Sequence, residues 1–127
     1  KEATGIDPDE VTEWVPIEQY PFEFATLDLM VCPLATNRFN RSKSWLKPLE
    51  AASLSVVPIM SDLPEYLALH KQGIGLVATR PREWESAILK LLKSPNMMHE
   101  MQAAGKEVAS KFVIEKNVSS WYEAWTM

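Results

Sequence analysis

Between Asn37 and Glu50 the chain reads NRFNRSKSWLKPLE, and this stretch gathers the residue types that can do chemistry. Asn37, Arg38, Asn40, Arg41, Ser42, Lys43 and Ser44 make a polar, cationic loop, and Trp45, Leu46, Lys47 and Pro48 lead into a helix. The start of a helix offers free backbone N–H groups and the positive end of the helix dipole, both suited to an anion. Hydroxyls and amides donate to phosphate oxygens, and ammonium or guanidinium groups neutralise them. Glu50 falls in the first turn of the predicted helix, roughly 5–8 Å along its axis at ~1.5 Å per residue. A carboxylate there can accept two hydrogen bonds from a vicinal diol such as that of ribose. Phosphate donors beside a diol acceptor form a grip for a nucleotide. The same residue types also have a plainer use, since acids complement helix starts and loop lysines are often only solvated.

The other reactive residues form no constellation. His70 and His99 are far apart in sequence and lack metal-ligand spacing, so both read as surface residues. Cys32 sits in an apolar run and reads as a packed core residue. GxSxG, HExxH, CxxC and P-loop patterns are absent. The methionines and tryptophans of the last two predicted helices read as packing rather than a cofactor box, although the Trp121/Trp125 face could dock on another domain.

The elements that must position the loop follow from periodicity and proline placement. Val11–Val15 is a short β-prone run closed by Pro16, and Ile17–Thr26 suits a short helix with Pro21 near its start. Leu29–Leu34 is a continuous apolar run, as expected of a strand buried on both faces of a parallel sheet. Ala35–Arg41 is loop. Proline is tolerated only in the first turn of a helix, so Pro48 places the next helix start at Ser44–Lys47, with its end near Leu54. Val56–Met60 is the second strand, and Pro58 must lie where its missing N–H is not needed.

Pro64–His70 can form a helical turn, and Gly73–Ala78 reads as a third buried strand. Pro81 and Glu83 open an amphipathic helix to about Lys93, with Trp84, Ile88, Leu91 and Leu92 on one face. A helix from Asn96 to about Phe112 carries Met97, Met101, Ala104, Val108 and Phe112 at helical spacing. The last helix, about Glu115–Trp125, sets Val118, Trp121, Tyr122 and Trp125 on one side. Alternating strands and helices followed by helices alone indicate an α/β fold: a partial Rossmann-like parallel sheet with flanking helices and a helical C-terminal tail.

Composition bounds what such a domain can be. The 127 residues suffice for one domain, with 46% hydrophobic and 24% charged residues. A net charge of −4 without a long run of one sign argues against general nucleic-acid binding. No apolar run approaches the ~20 residues that cross a bilayer, and no signal peptide is visible. The single cysteine cannot form an internal disulfide, which points to a reducing, cytoplasmic compartment. The first residue is Lys1 rather than Met, which suggests a piece of a longer protein.

Several segments carry a family resemblance in order: Asp28–Leu34 (DLMVCPL), Phe39–Glu50 (FNRSKSWLKPLE), Ala51–Asp62 (AASLSVVPIMSD), Gly73–Val77 (GIGLV) and the helix Trp84–Leu92 (WESAILKLL). From about Val11 onward they resemble the carboxy-terminal, donor-binding domain of GT-B fold glycosyltransferases. The chain looks closest to the large retaining group that includes glycogen and sucrose synthases. The resemblance implies a hexosyltransferase-type enzyme that takes a nucleotide-sugar as donor substrate, with no cofactor and no metal required. In that family two glutamates with seven residues between them mark the donor site; Glu50 matches the second, which holds the ribose, and Ser42 stands at the first.

The resemblance further implies that Lys43, Ser44 and the amides around Trp45–Leu46 face the diphosphate or donor sugar, with Asn40 and Lys47 as additional contacts. Ser55 replaces a usual glycine, and Pro58 stands one position late. The upstream Arg/Lys pair that meets the diphosphate, the first strands of the domain and the amino-terminal acceptor domain have no counterpart. Residues 1–127 are therefore expected to be one truncated C-terminal nucleotide-sugar-binding domain that does not catalyse transfer alone. Its open sheet edge or apolar tail is expected to drive self-association. The rival reading is a non-catalytic α/β binding or interaction module, favoured by Ser42. A receiver-like or flavodoxin-like domain lacks the acidic cluster expected after a first strand.

Overall fold

The computed structural model describes residues 7–127. Its elements run α1 Tyr20–Phe24, β1 Leu29–Cys32, a short 3₁₀ turn at Asn40–Ser42, α2 Leu46–Ser53, β2 Val57–Met60, α3 Pro64–Lys71, β3 Leu76–Val77, α4 Pro81–Leu92, α5 Pro95–Ala109 and α6 Ile114–Thr126. The strands form an open parallel sheet in the order β1-β2-β3. Leu29 pairs with Val57 and Cys32 with Met60, while Ile59 pairs with Leu76. All three strands therefore end at one side of the molecule, and the helices α2, α3 and α4 begin there.

Alternation along the strands builds a core on each face. Val57 and Ile59 pack with Leu29, Leu76, Ala87, Ile88, Leu91 and the methionines Met97, Met98 and Met101 of α5. On the other face Cys32 and Met60 pack with Met30, Val77, Leu63 and Tyr66. A third cluster, Ala52, Leu69, Ile74 and Ala109, joins α2, α3 and the end of α5. Close approach there depends on small residues: a Cβ on Gly105 would stand 3.4 Å from that of Ala52.

The prolines fall where the backbone does not need their missing donor. Pro64, Pro81 and Pro95 each lie in the opening turn of a helix. Pro48 is buried in the first turn of α2. Pro58 lies inside β2, but β3 begins only opposite Ile59, so no bond to β3 is lost at Pro58. Gly75 makes room beside it: a Cβ at Gly75 would lie 2.1 Å from the Pro58 carbonyl oxygen, and its φ of 62° suits glycine.

Some elements differ from the sequence reading. Val11–Val15 forms no strand, because β propensity does not make a strand without a ladder partner, and Trp14 is fully exposed. The helix expected over Ile17–Thr26 contracts to Tyr20–Phe24, preceded by a turn in which Gln19 and Tyr20 donate to the Pro16 carbonyl. The third strand shrinks to two residues because Gly73 and Gly75 both have positive φ. Leu92 and Ala104 face solvent, and Met98, Gly105 and Ala109 are the buried residues of α5. The apolar face of α6 is exposed through Val118, Trp121, Tyr122 and Trp125. Among the described residues no helix is long and apolar enough to cross a membrane.

Candidate functional site

The loop after β1 is held by its own side chains. Asn40 donates its backbone N–H to Asn37 Oδ1 at 2.8 Å and its side-chain amide to the Ala35 carbonyl at 2.8 Å. Arg41, Ser42 and Lys43 follow with backbone bonds to Asn37, Phe39 and Asn40. Lys43 Nζ rests 5.3 Å from the centroid of the Phe39 ring, a cation–π contact that orders an otherwise flexible ammonium group. The loop then turns into α2 at Trp45. The indole packs edge-on against Phe112 in the turn after α5, with ring centroids 5.4 Å apart and planes at 74°. Trp45 thus anchors the start of α2, with its side chain partly buried against the core.

A second strut joins this loop to the one after β2. Ser61 is buried, and its hydroxyl oxygen accepts the Leu34 N–H at 2.8 Å. Ser61 N–H in turn donates to the Cys32 carbonyl at 3.3 Å. The floor at the end of β1 and β2 is therefore stiff, which a binding site requires.

A cleft of about 460 Å³ opens over that floor, lined by Met30, Val31, Cys32, Pro33, Leu34, Lys43, Ser44, Leu46, Lys47 and Tyr66. Four of the residues expected from sequence, Lys43, Ser44, Leu46 and Lys47, meet here. The lining holds two ammonium groups and no carboxylate. At the start of α2 no side chain caps the helix, and Leu49 N–H is the first amide to reach a carbonyl, that of Trp45. The amides of Leu46 and Lys47 thus carry the positive end of the dipole toward the cleft mouth. Other, more open depressions of similar volume lie beside Arg38 and Arg41 (about 430 Å³) and along α4 (about 490 Å³), and neither has a buried polar group in its lining.

Glu50 and Asn40 stand apart from the cleft. The first turn of α2 contains no acid, and Glu50 is the fifth residue of the helix, so its expected first-turn position is corrected to the second turn. The helix begins at Leu46, inside the expected range Ser44–Lys47, after Lys43 in extended backbone. Glu50 is four residues beyond Leu46, roughly 6 Å along the axis and on the same face. Its carboxylate lies near Tyr20 of α1: burial raises the Tyr20 hydroxyl above its ordinary pKa, and the Glu50 charge raises it further. The side chain of Asn40 is spent on holding the loop.

Two further residues of the cleft are Cys32, packed in the core as its apolar run suggests, and Tyr66, which the sequence did not single out. Cys32 is 8% exposed and free, and burial pushes its thiol up to about 11, with the nearby Lys47 charge pulling in the opposite direction. Such a thiol is a poor nucleophile near neutral pH. Tyr66 is raised by burial and then by the Cys32 thiol beside it. Its sequence signal is the stripe Leu63, Tyr66, Leu69, spaced for one buried helix face, in which a phenol carries an unneeded hydroxyl. His70 lies on the surface and bonds through Nδ1 to the Gly75 carbonyl at 2.9 Å, which ties α3 to β3. Among the described residues no group of three His, Cys, Asp or Glu side chains is placed to hold a metal. Compared with known families, curated proteins and solved structures, the chain matches none.

Proposed function

We propose that this chain is the donor-binding part of a nucleotide-sugar-dependent glycosyltransferase with a GT-B type C-terminal domain. One observation carries the reading: Lys43, Ser44 and Lys47 meet at a single cleft at the end of β1, with Glu50 one turn further along the same helix. The separation suits a diphosphate at the helix start and a ribose diol at Glu50. Ligands of open α/β sheets bind beyond the carboxyl ends of the strands, where this cleft lies. Lys43, Lys47 and the first amides of α2 would stabilise the negative charge that develops on the leaving diphosphate. In this reading the sugar acceptor is held by residues outside these 127, and the free thiol of Cys32 fits a cytoplasmic setting.

Glu50→Ala tests the ribose assignment. Loss of a charged acceptor for two hydroxyls lowers affinity for a nucleoside diphosphate by about tenfold or more. Equal affinity of the variant and the parent chain contradicts it. The affinity for pyrophosphate, which has no diol, is expected to stay the same.

A second reading has its own support. Ser42, at the position where the resembled family has its first glutamate, is exposed, and its hydroxyl donates to the Arg38 carbonyl at 3.4 Å. It offers no carboxylate to a sugar ring. A module that binds a nucleotide without transferring sugar fits this residue, and nucleotide binding without donor turnover in the intact protein would select it. Self-association through the exposed face of α6 or the open edge of β1 completes the proposal. A clean monomer by light scattering at high concentration would remove that part.

A further inference from the structure

Tyr66 differs from Lys43, Ser44 and Lys47 of the same cleft, which are exposed, in being a buried polar side chain. The residue is 4% exposed, and its hydroxyl makes no hydrogen bond to any described residue. No polar side-chain atom among the described residues is both sealed from solvent and unpartnered. The phenol oxygen is therefore open to solvent, and Tyr66 is one of the residues that line the cleft. Everything else about the position asks only for an aromatic ring: Tyr66 packs with Cys32, Met60 and Leu63 beneath the sheet. Phenylalanine would fill that space without placing a hydroxyl in a nearly closed site.

The surroundings indicate what the hydroxyl meets. Lys43 and Lys47 line the same cleft, no carboxylate does, and Ser44 adds a second hydroxyl. The thiol of Cys32 is beside the phenol and stays protonated near neutral pH, so it adds no negative charge. A donor in such a place faces an acceptor oxygen that carries negative charge. We propose that Tyr66 is a ligand-binding residue whose hydroxyl donates a hydrogen bond to a phosphoryl oxygen of a nucleoside diphosphate neutralised by Lys43 and Lys47. This rests on the donor-site reading above, and adds a contact from α3, opposite the loop and helix that the sequence indicates.

The test is calorimetric titration of the full chain and of Tyr66→Phe with UDP, GDP, ADP and inorganic pyrophosphate, after thermal melts establish that both are folded. The expected result is that one nucleoside diphosphate binds the parent chain and binds Tyr66→Phe about tenfold more weakly, because one hydrogen bond to a charged group is lost. Nucleotide binding that is unchanged in Tyr66→Phe overturns the Tyr66 assignment and leaves the donor site standing. Pyrophosphate binding that depends on Tyr66, with no binding gained from any nucleoside, keeps the phosphoryl contact and overturns the nucleotide reading. Absence of binding by every probe overturns both. Should Tyr66→Phe fail to fold, the parent chain labelled at tyrosine Cζ carries the test. A shift of the Tyr66 resonance on adding pyrophosphate or a nucleoside diphosphate supports the contact, and an unmoved resonance overturns it.

Discussion

Helices α2 and α4 start at the same end of the sheet and differ in the charge placed at that start. At α4 the Glu83 carboxylate folds back and accepts the N–H groups of Thr79 at 2.8 Å and Arg80 at 3.1 Å. Those two bonds hold Glu83 below its ordinary pKa. Only the Glu83 half of a reciprocal cap exists there, since the Arg80 guanidinium has no acceptor to offer the helix. At α2 no side chain caps the start, the first turn contains no acid, and Lys43 and Lys47 flank it. One helix start carries its own carboxylate, and the other has none. A helix start alone does not make a site; α2 becomes a candidate because the cleft and the free Tyr66 hydroxyl face the same place.

Ser44→Asp breaks this contrast most strongly. It gives α2 an acid at its start, as α4 has, and sets a negative charge among the cleft lysines. Affinity for pyrophosphate or a nucleoside diphosphate is expected to fall by about tenfold or more, while stability holds or rises by up to about 1 kcal/mol. Binding that survives Ser44→Asp would separate the anion site from this helix. Calorimetry and a denaturant series measure the two sides.

The far end of α2 offers the next largest change. Ser55 follows the helix with φ of 63°, and Val56 N–H closes the turn onto the Ala51 carbonyl at 2.9 Å. That backbone favours glycine, so Ser55→Gly is expected to stabilise the fold by up to about 1 kcal/mol with ligand affinity unchanged. An unchanged or lowered urea midpoint would contradict this account of the turn.

Much of this arrangement was legible in the sequence, for local reasons. Prolines at 48, 64 and 81 announced helix starts, and the apolar runs after Asp28 and Ser55 announced strands. Lys43, Ser44, Leu46 and Lys47 were placed together because loop and helix are contiguous. Glu50 was set one turn too early, because even a start at Leu46, inside the expected range, makes it the fifth residue and carries it past the first turn. Tyr66 was missed because the pairing of β1 with β2 brings α3 beside Cys32, a contact across 34 residues. The segment Val11–Val15 had the composition of a strand and no neighbour to complete one.

Glu83→Gln gives the smallest effect and sharpens the other side of the contrast. The folded state holds Glu83 below its ordinary value of 4.5, so its contribution is present above that pH and is lost as pH falls through the lowered value. The variant is expected to be slightly less stable at neutral pH and to lose less stability than the parent on acidification below about 4.5. Parallel acid profiles for the two proteins would mean that the Glu83 bonds do not favour the folded state.

The most direct test of the donor site is an amide NMR titration of the full chain with UDP, GDP and ADP. Shifts concentrated at residues 43–50 and at Tyr66, with one base preferred and the Thr79–Glu83 amides unmoved, are the result predicted here. Shifts elsewhere, or none with any of the three nucleotides at millimolar concentration, would contradict it.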